Sequence, residues 1–373
     1  MIECYTGALL VSAEGTRRAP LVIDTRKGRI LPPEAASRAD RHIDASDLLL
    51  YPGLINAHDH LELNHYPRTR WREPHSSARQ WSEDMRPHLD EEPYASLRRL
   101  PLVDRCWHGG FKNLLAGVTT VAHHNPLYRP LRARSFPVRV LRRYQWAHSL
   151  YLETPQAIQK AHRRARKQPF MIHLAEGTDA DSARELRQLE ALGCLTERTV
   201  LIHGVAVAGD NLTRAVQKSR GLVWCPSTNN FLLGQTAQVK EWFAAGKLAL
   251  GSDSRLTADG DLLDELRAAF ATGQLDAREL FQVVTDGAAQ MLGLGDVGEL
   301  LPGKRADVLA IRAPEHGDVH RALIEARLHD IRWVMRDGHR LWEGGTEGAN
   351  AEMEGVSLRL APHLYKRWAV SLP

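Results

Sequence analysis

The chain has 373 residues, 43% of them hydrophobic and 25% charged, with a net charge of +4. That length exceeds one ordinary domain unless a large barrel takes most of it, and the composition is that of a soluble globular protein. Neither a basic arm for nucleic acid nor an apolar run near the roughly 20 residues of a membrane span is present, and the four cysteines form no CxxC pair, so a disulfide framework is excluded and a reducing cytoplasm expected.

Residues 1–50 hold short strand-like runs, GALLVS, APLVID, KGRIL and ASDLLLYPG, between charged turns. The N-terminal MIECYTGALLVSAEG lacks the apolar core of a signal peptide. Residues 299–345 have the same character as 1–50, in GELLPGKRADVLAIRAP and IRWVMRDGHRLWEGG. Neither end carries a full core, so together they are expected to build one small β-sandwich domain, with residues 51–298 inserted between them.

The inserted part alternates strand candidates with helices, which predicts a parallel sheet and, with this many units, an α/β barrel of the (β/α)8 TIM type. Strand runs lie at 54–58, 118–123, 138–150, 170–176, 199–204, 221–226 and 248–253. Seven runs are one short of a full barrel, so either 138–150 hides two strands or the barrel is abbreviated. Segment 61–116 is long for one connection and reads as a lid or binding loop ending in the helix-like LVDRCWHGGFKNLLAG. The tail, 346–373, is expected to dock on the domain or on a partner subunit.

Chemistry gathers at the strand ends. In YPGLINAHDHLELN the alternation of a strand puts His58 and His60 on one face and Asp59 on the other, so two imidazoles can share one cation. Other runs end in His173 with Glu176 three residues on, in His203, and in Asp253. A barrel's active site lies at the carboxyl ends of its strands, so these six side chains would meet on one rim. Taken singly, each has an ordinary explanation: a paired histidine, a helix cap at Asp253, a solvated acid at Glu176. Their recurrence on strand after strand favours one shared site.

The motifs PGLINAHDH, HLAEG, LIHG, WCPSTNNFLLG, LGSDS and GKRADVLAI, in this order, resemble the amidohydrolase superfamily, particularly its cytosine deaminase, guanine deaminase and triazine hydrolase branch. The resemblance spans about residues 1 to 345. It implies that His58, His60, His173 and Asp253 bind one divalent metal, Zn²⁺ or Fe²⁺, which activates water to hydroxide. It further implies that Asp253 takes the water proton, Glu176 protonates a ring nitrogen, and His203 hydrogen-bonds the attacking oxygen. No strand end offers the lysine that dinuclear members carboxylate, so one metal is expected. The implied reaction is deamination of a purine, pyrimidine, pterin or triazine-type heterocycle; the alternative is hydrolysis of a cyclic amide, an imidazolone-type ring or a carbon–halogen bond at the same site.

Candidate substrate contacts are Asn64, His124, His148, Asn229 in the CPSTNN loop, and Arg255, whose guanidinium would suit a substrate carboxylate or enolate-like oxygen. The expected partner is a small heterocycle rather than nucleic acid or membrane, and relatives suggest a homodimer.

Overall fold

A computed structural model describes residues 1–314 and 316–371. Two parallel sheets form its centre. In one, β1 (Leu54–Asp59), β2 (Val118–His123) and β3 (Arg139–Val140) pair in the order β1-β2-β3. In the other, β4 (Gln145–Ala147), β5 (Phe170–Leu174), β6 (Thr199–His203), β7 (Gly221–Trp224) and β8 (Leu248–Leu250) pair in chain order. β1, β2, β5, β6, β7 and β8 are buried along their whole length, which is why they read as continuous apolar runs rather than alternating ones. The fold is TIM-barrel-like. Run 138–150 contains both β3 and β4, with no helix between them.

Strands from the two chain ends meet in a further sheet of eight. Leu48–Pro52 lies antiparallel to Val308–Arg312, with Leu50 opposite Ala310, and parallel to Leu9–Ser12. Strands Ile331–Arg336 and His339–Gly344 extend this sheet, and the tail adds Val356–Leu360 and Ala351–Met353. A separate four-stranded sheet holds Ile2–Thr6 and Leu21–Asp24 and shares with it a buried cluster that includes Tyr5, Ile23, Leu50, Val308 and Trp333. The tail ends in a helix, Pro362–Ser371, whose Trp368 stacks edge-on against Phe111 with ring centroids 5.0 Å apart. No helix among the described residues is long and apolar enough to cross a membrane.

Segment 61–101 roofs the strand ends. Its backbone N–H groups donate to three of the loops below: Thr69 to the Leu256 carbonyl (2.9 Å), His75 to Leu232 (2.7 Å) and Ala78 to Glu176 (2.9 Å). Tyr66, Met85 and Tyr94 pack with Leu256, while Trp81 joins Val205, Leu232 and Leu233. The following helix, Leu102–Leu115, lies so close to the roof's first turn that a Cβ on Gly109 would fall 2.1 Å from the Leu61 carbonyl oxygen. WCPSTNNFLLG, read above as a loop, instead contains a helix at Pro226–Leu233, with proline in its first turn and left-handed Gly234 closing it.

One partly buried ionic cluster joins the barrel-like centre to the terminal strands. Arg139 on β3 donates to Asp307 (2.5 and 3.2 Å) and to Asp337 (2.7 Å), and the Asp337 N–H also donates to Asp307 (2.8 Å). The Asp307 side chain is only 2% exposed. Arg139→Met leaves that carboxylate without its bidentate partner and is expected to destabilise the protein by about 3–5 kcal/mol, with Arg139→Met/Asp307→Asn recovering much of the loss; urea unfolding midpoints of both variants measure it.

Candidate active site and metal centre

Each of the six strand-end residues reaches one buried site. His58 lies within β1, and His60 just beyond it opens the roof with its ring Nε2 turned inward. His173 comes from β5, His203 ends β6, and Asp253 follows β8. The Asp253 N–H donates to the His58 carbonyl (3.0 Å), tying the segment after β8 to β1. Three residues at this rim, Ala175, His203 and Asp253, have φ of +55°, +70° and +51°. Side chains other than glycine seldom adopt that conformation, and its concentration here is backbone strain held at a working site. Gly251 of LGSDS is required by contact: a Cβ there would lie 2.6 Å from the His58 Cβ.

The donor atoms converge as ligands of one ion would. His173 Nε2 lies 3.3 Å from both His58 Nε2 and His60 Nε2, and Asp253 Oδ1 lies 3.5 and 3.6 Å from the same two nitrogens. Ligands about 2.0–2.1 Å from a shared ion in a tetrahedron stand about 3.3–3.4 Å apart. His58, His60 and Asp253 form one group of candidate ligands, and His58, His173 and His203 a second that shares His58. Burial pushes His60 and His173 well below the ordinary imidazole range, so both are neutral. His173 Nδ1 donates to the His148 carbonyl (2.8 Å), which leaves its Nε2 as a bare lone pair aimed at the other donors. Lone pairs and a carboxylate oxygen at this spacing repel unless a cation lies among them. The residues fit a divalent metal.

The two carboxyl groups are driven in opposite directions. Burial would raise Asp253, but the His58 hydrogen bond and nearby imidazoles outweigh it and hold this carboxyl well below its usual range. Its second oxygen accepts from the Thr228 and Thr257 hydroxyls (3.1 and 3.2 Å). Burial, reinforced by the charges of Asp253 and Glu185, pushes Glu176 well above the carboxylate range and so favours its protonated form. Its Oε1 lies 3.5 Å from His203 Nε2. Burial lowers His203 to about 4, and its Nδ1 donates to Asn229 Oδ1 (2.9 Å), which leaves Nε2 to accept.

The remaining candidates divide. His148 is a near neighbour of the ligands, its ring 4.7 Å from that of His173, and His124 is buried against His173 at 4.3 Å with its Nε2 donating to the Ala147 carbonyl. Asn229 is turned to His203, and its amide nitrogen donates to Thr236 (3.1 Å). Asn64 donates to Asp59 (2.8 Å) and accepts the Arg255 N–H (3.1 Å). The Arg255 side chain lines a cavity of about 480 Å³ with His108, Asp261 and Arg327, whereas His173 and Glu176 border another, of about 280 Å³, with Tyr151, Asp179 and Glu185. Sequence reading passed over Thr228, Thr257, Asn56, Lys112 and Ser252, all of which touch Asp253 or the segments that carry it. Asn56, Thr228 and Ser252 lie inside quoted motifs and Thr257 just beyond one; Lys112, on a helix, gave no signal of a site.

Residues 148–338 match the Amidohydrolase family, a little over half of the chain. The chain belongs to the amidohydrolase family. It is a hydrolase acting on carbon–nitrogen bonds. A 5-methylthioadenosine/S-adenosylhomocysteine deaminase from Natronomonas pharaonis is 26% identical over 91% of this chain and 92% of its own. An 8-oxoguanine deaminase from Pseudomonas aeruginosa is 28% identical over 47% of this chain and 44% of its own. Among solved structures, a triazine hydrolase variant superposes with a TM-score of 0.75 at 19% identity, covering 91% of this chain and 94% of that one. A zinc-containing adenosine deaminase from Xanthomonas campestris superposes with 0.73 at 20% identity, covering 91% and 92%.

Two outcomes follow for the metal centre. The purified hydrolase is expected to retain about one divalent ion per chain by elemental analysis, and Gly251→Ala, by forcing β8 away from His58, to retain well under half of that while remaining folded by circular dichroism.

Proposed function

We propose that this hydrolase deaminates a nitrogen heterocycle, of purine, pyrimidine, pterin or triazine type, with one divalent metal held by His58, His60, His173 and Asp253, most simply Zn²⁺. The observation that carries the reading is the convergence of His58, His60, His173 and Asp253 donor atoms at 3.3–3.6 Å, with Glu176 Oε1 3.5 Å from His203 Nε2 beside them; local charge and burial drive Asp253 below the carboxylate range and Glu176 above it. Pairs separated in this way divide acid from base work. When bound, the ion would act as a Lewis acid on water and on developing negative charge.

The chain's own residues would do the rest. Asp253, its Oδ2 held by two threonine hydroxyls, is oriented to take the proton of the attacking water. Glu176 gives its proton to the ring nitrogen beside the carbon under attack; the proton held by Asp253 then goes to the departing amine, and Glu176 is reprotonated by the added hydroxyl as the intermediate collapses to the carbonyl. One water enters and one ammonia leaves, and the ring stays closed. His203 Nε2, its tautomer set by Asn229, faces Glu176 and would orient the water. The roof over the loops after β5, β7 and β8 would exclude bulk water from that exchange. Relatives named as deaminases of 5-methylthioadenosine, S-adenosylhomocysteine and 8-oxoguanine support the same bond and the same class of ring.

We read the eight parallel strands as one barrel, residues 51–298, supported by the Asp253–His58 bond between the end of β8 and β1. Residues 1–50 with 299–345 make the composite small domain in this reading, supported by their shared buried cluster. Four free, buried cysteines support a cytoplasmic location.

The test is ammonia release by the metal-loaded protein from a panel of aminopurines, aminopyrimidines, aminopterins and aminotriazines. Release from one class is expected, abolished in Asp253→Asn and lowered about 10²–10⁴-fold in kcat by Glu176→Gln. Ring opening or halide release without ammonia would replace deamination by the alternative hydrolysis.

A further inference from the structure

We propose that Lys112 is a positioning residue for the metal ligands: with Asp59 it forms a buried ionic clamp that locks the end of β1 against the segment after β8, and so sets the spacing between the histidine pair and Asp253. This rests on the metal-dependent reading above.

Asp59 stands between His58 and His60, and strand alternation turns its side chain away from the donor cluster. Its carboxylate is completely buried, and the Lys112 side chain is 6% exposed, with Nζ and Oδ2 3.0 Å apart. Both oxygens of Asp59 are occupied, one by the Asn64 amide (2.8 Å), the other by Asn113 (2.7 Å) as well as by Lys112. The lysine spends its other donors across the gap, on Ser252 Oγ (3.1 Å) and on the carbonyl oxygen of Asp253 itself (3.4 Å). One ammonium therefore contacts both ligand-bearing segments.

Parallel ties cross the same gap. Asn56 Oδ1 accepts the N–H of Ser252 (3.0 Å) and of His58 (3.3 Å), and Asn64 joins Asp59 to the Arg255 N–H. The helix that carries Lys112 is brought near enough by Gly109, where no side chain fits. A buried ion pair adds little net stability compared with well-packed apolar side chains of similar volume. What it adds here is direction, because an ammonium has three donors that must point at three acceptors. The clamp fixes ligand geometry, and its loss should appear in metal affinity more than in folding.

The test compares wild type, Lys112→Met, Lys112→Met/Asp59→Asn and Lys112→Arg. Zinc affinity is read by chelator competition, stability by urea unfolding of the metal-free protein, and kcat and KM on the substrate found above. Lys112→Met leaves Asp59 uncompensated and should lose stability and zinc together. The double variant should recover the unfolding midpoint yet bind zinc about 10–100-fold more weakly, the usual loss on removing support behind metal ligands, with kcat lowered and KM little changed. Lys112→Arg keeps the charge but not the arrangement of donors, and should hold zinc about tenfold more weakly at near wild-type stability. Wild-type zinc affinity in either folded variant, the double or Lys112→Arg, overturns the proposal. A wild-type chain that binds no divalent ion would overturn the metal-dependent reading itself, which separates the two failures.

Discussion

The site depends on holding one charged carboxylate, Asp253, among imidazoles of which burial keeps His60, His173 and His203 neutral. Taking an anion out of water is costly unless every lone pair finds a partner. Here Thr228 and Thr257 serve one oxygen, and His58 and His60 surround the other. The neutral imidazoles return too little positive charge for such a burial, so the cluster is built for an ion that supplies it. The left-handed backbone at Asp253 and the missing side chain at Gly251 are local consequences: both let the end of β8 close onto His58.

The same burial that leaves Asp253 short of positive charge pushes Glu176 toward its protonated form. Both lie largely buried, but Asp253 is surrounded by groups that favour its charge, whereas Glu176 faces the like charges of Asp253 and Glu185. Excluding water strengthens each of these effects. The roof closes over the site, its backbone pinned to the segments after β5, β7 and β8 by the hydrogen bonds from Thr69, His75 and Ala78.

Much of this was legible in the sequence because strand ends in such a fold must gather, and a strand's two-residue period assigns faces without coordinates. His58, His60, His173, His203, Glu176 and Asp253 needed no more than that. β3 and β4 were blurred because strands of two and three residues without an intervening helix give no period to read. The Pro226–Leu233 helix carried its own signature, proline in the first turn and glycine after the last, and the polar STNN between them read as a loop instead. Lys112 was illegible for a deeper reason. A lysine on an amphipathic helix looks solvated until tertiary packing supplies its counter-ion, and Asp59 is 53 residues away in the chain.

The asparagines show how tertiary context reassigns a polar group. Asn64 and Asn229 follow site motifs and looked like pocket residues, yet each spends its amide on a charged or catalytic neighbour, Asp59 in one case and His203 in the other. Arg255 makes the complementary point. The larger cavity, which it lines, is not the one bordered by His173 and Glu176. On the latter side the wall carries Glu185, raised by burial to about 7, and Asp179, which caps the helix Ala180–Ala191, with Arg79 as the basic group. A molecule entering there would meet both carboxyl groups and the exposed Arg79 guanidinium. The two acids of that wall follow Glu176 by only three and nine residues in the chain, so the turn that carries one candidate site residue also sets the polarity of the cavity beside it.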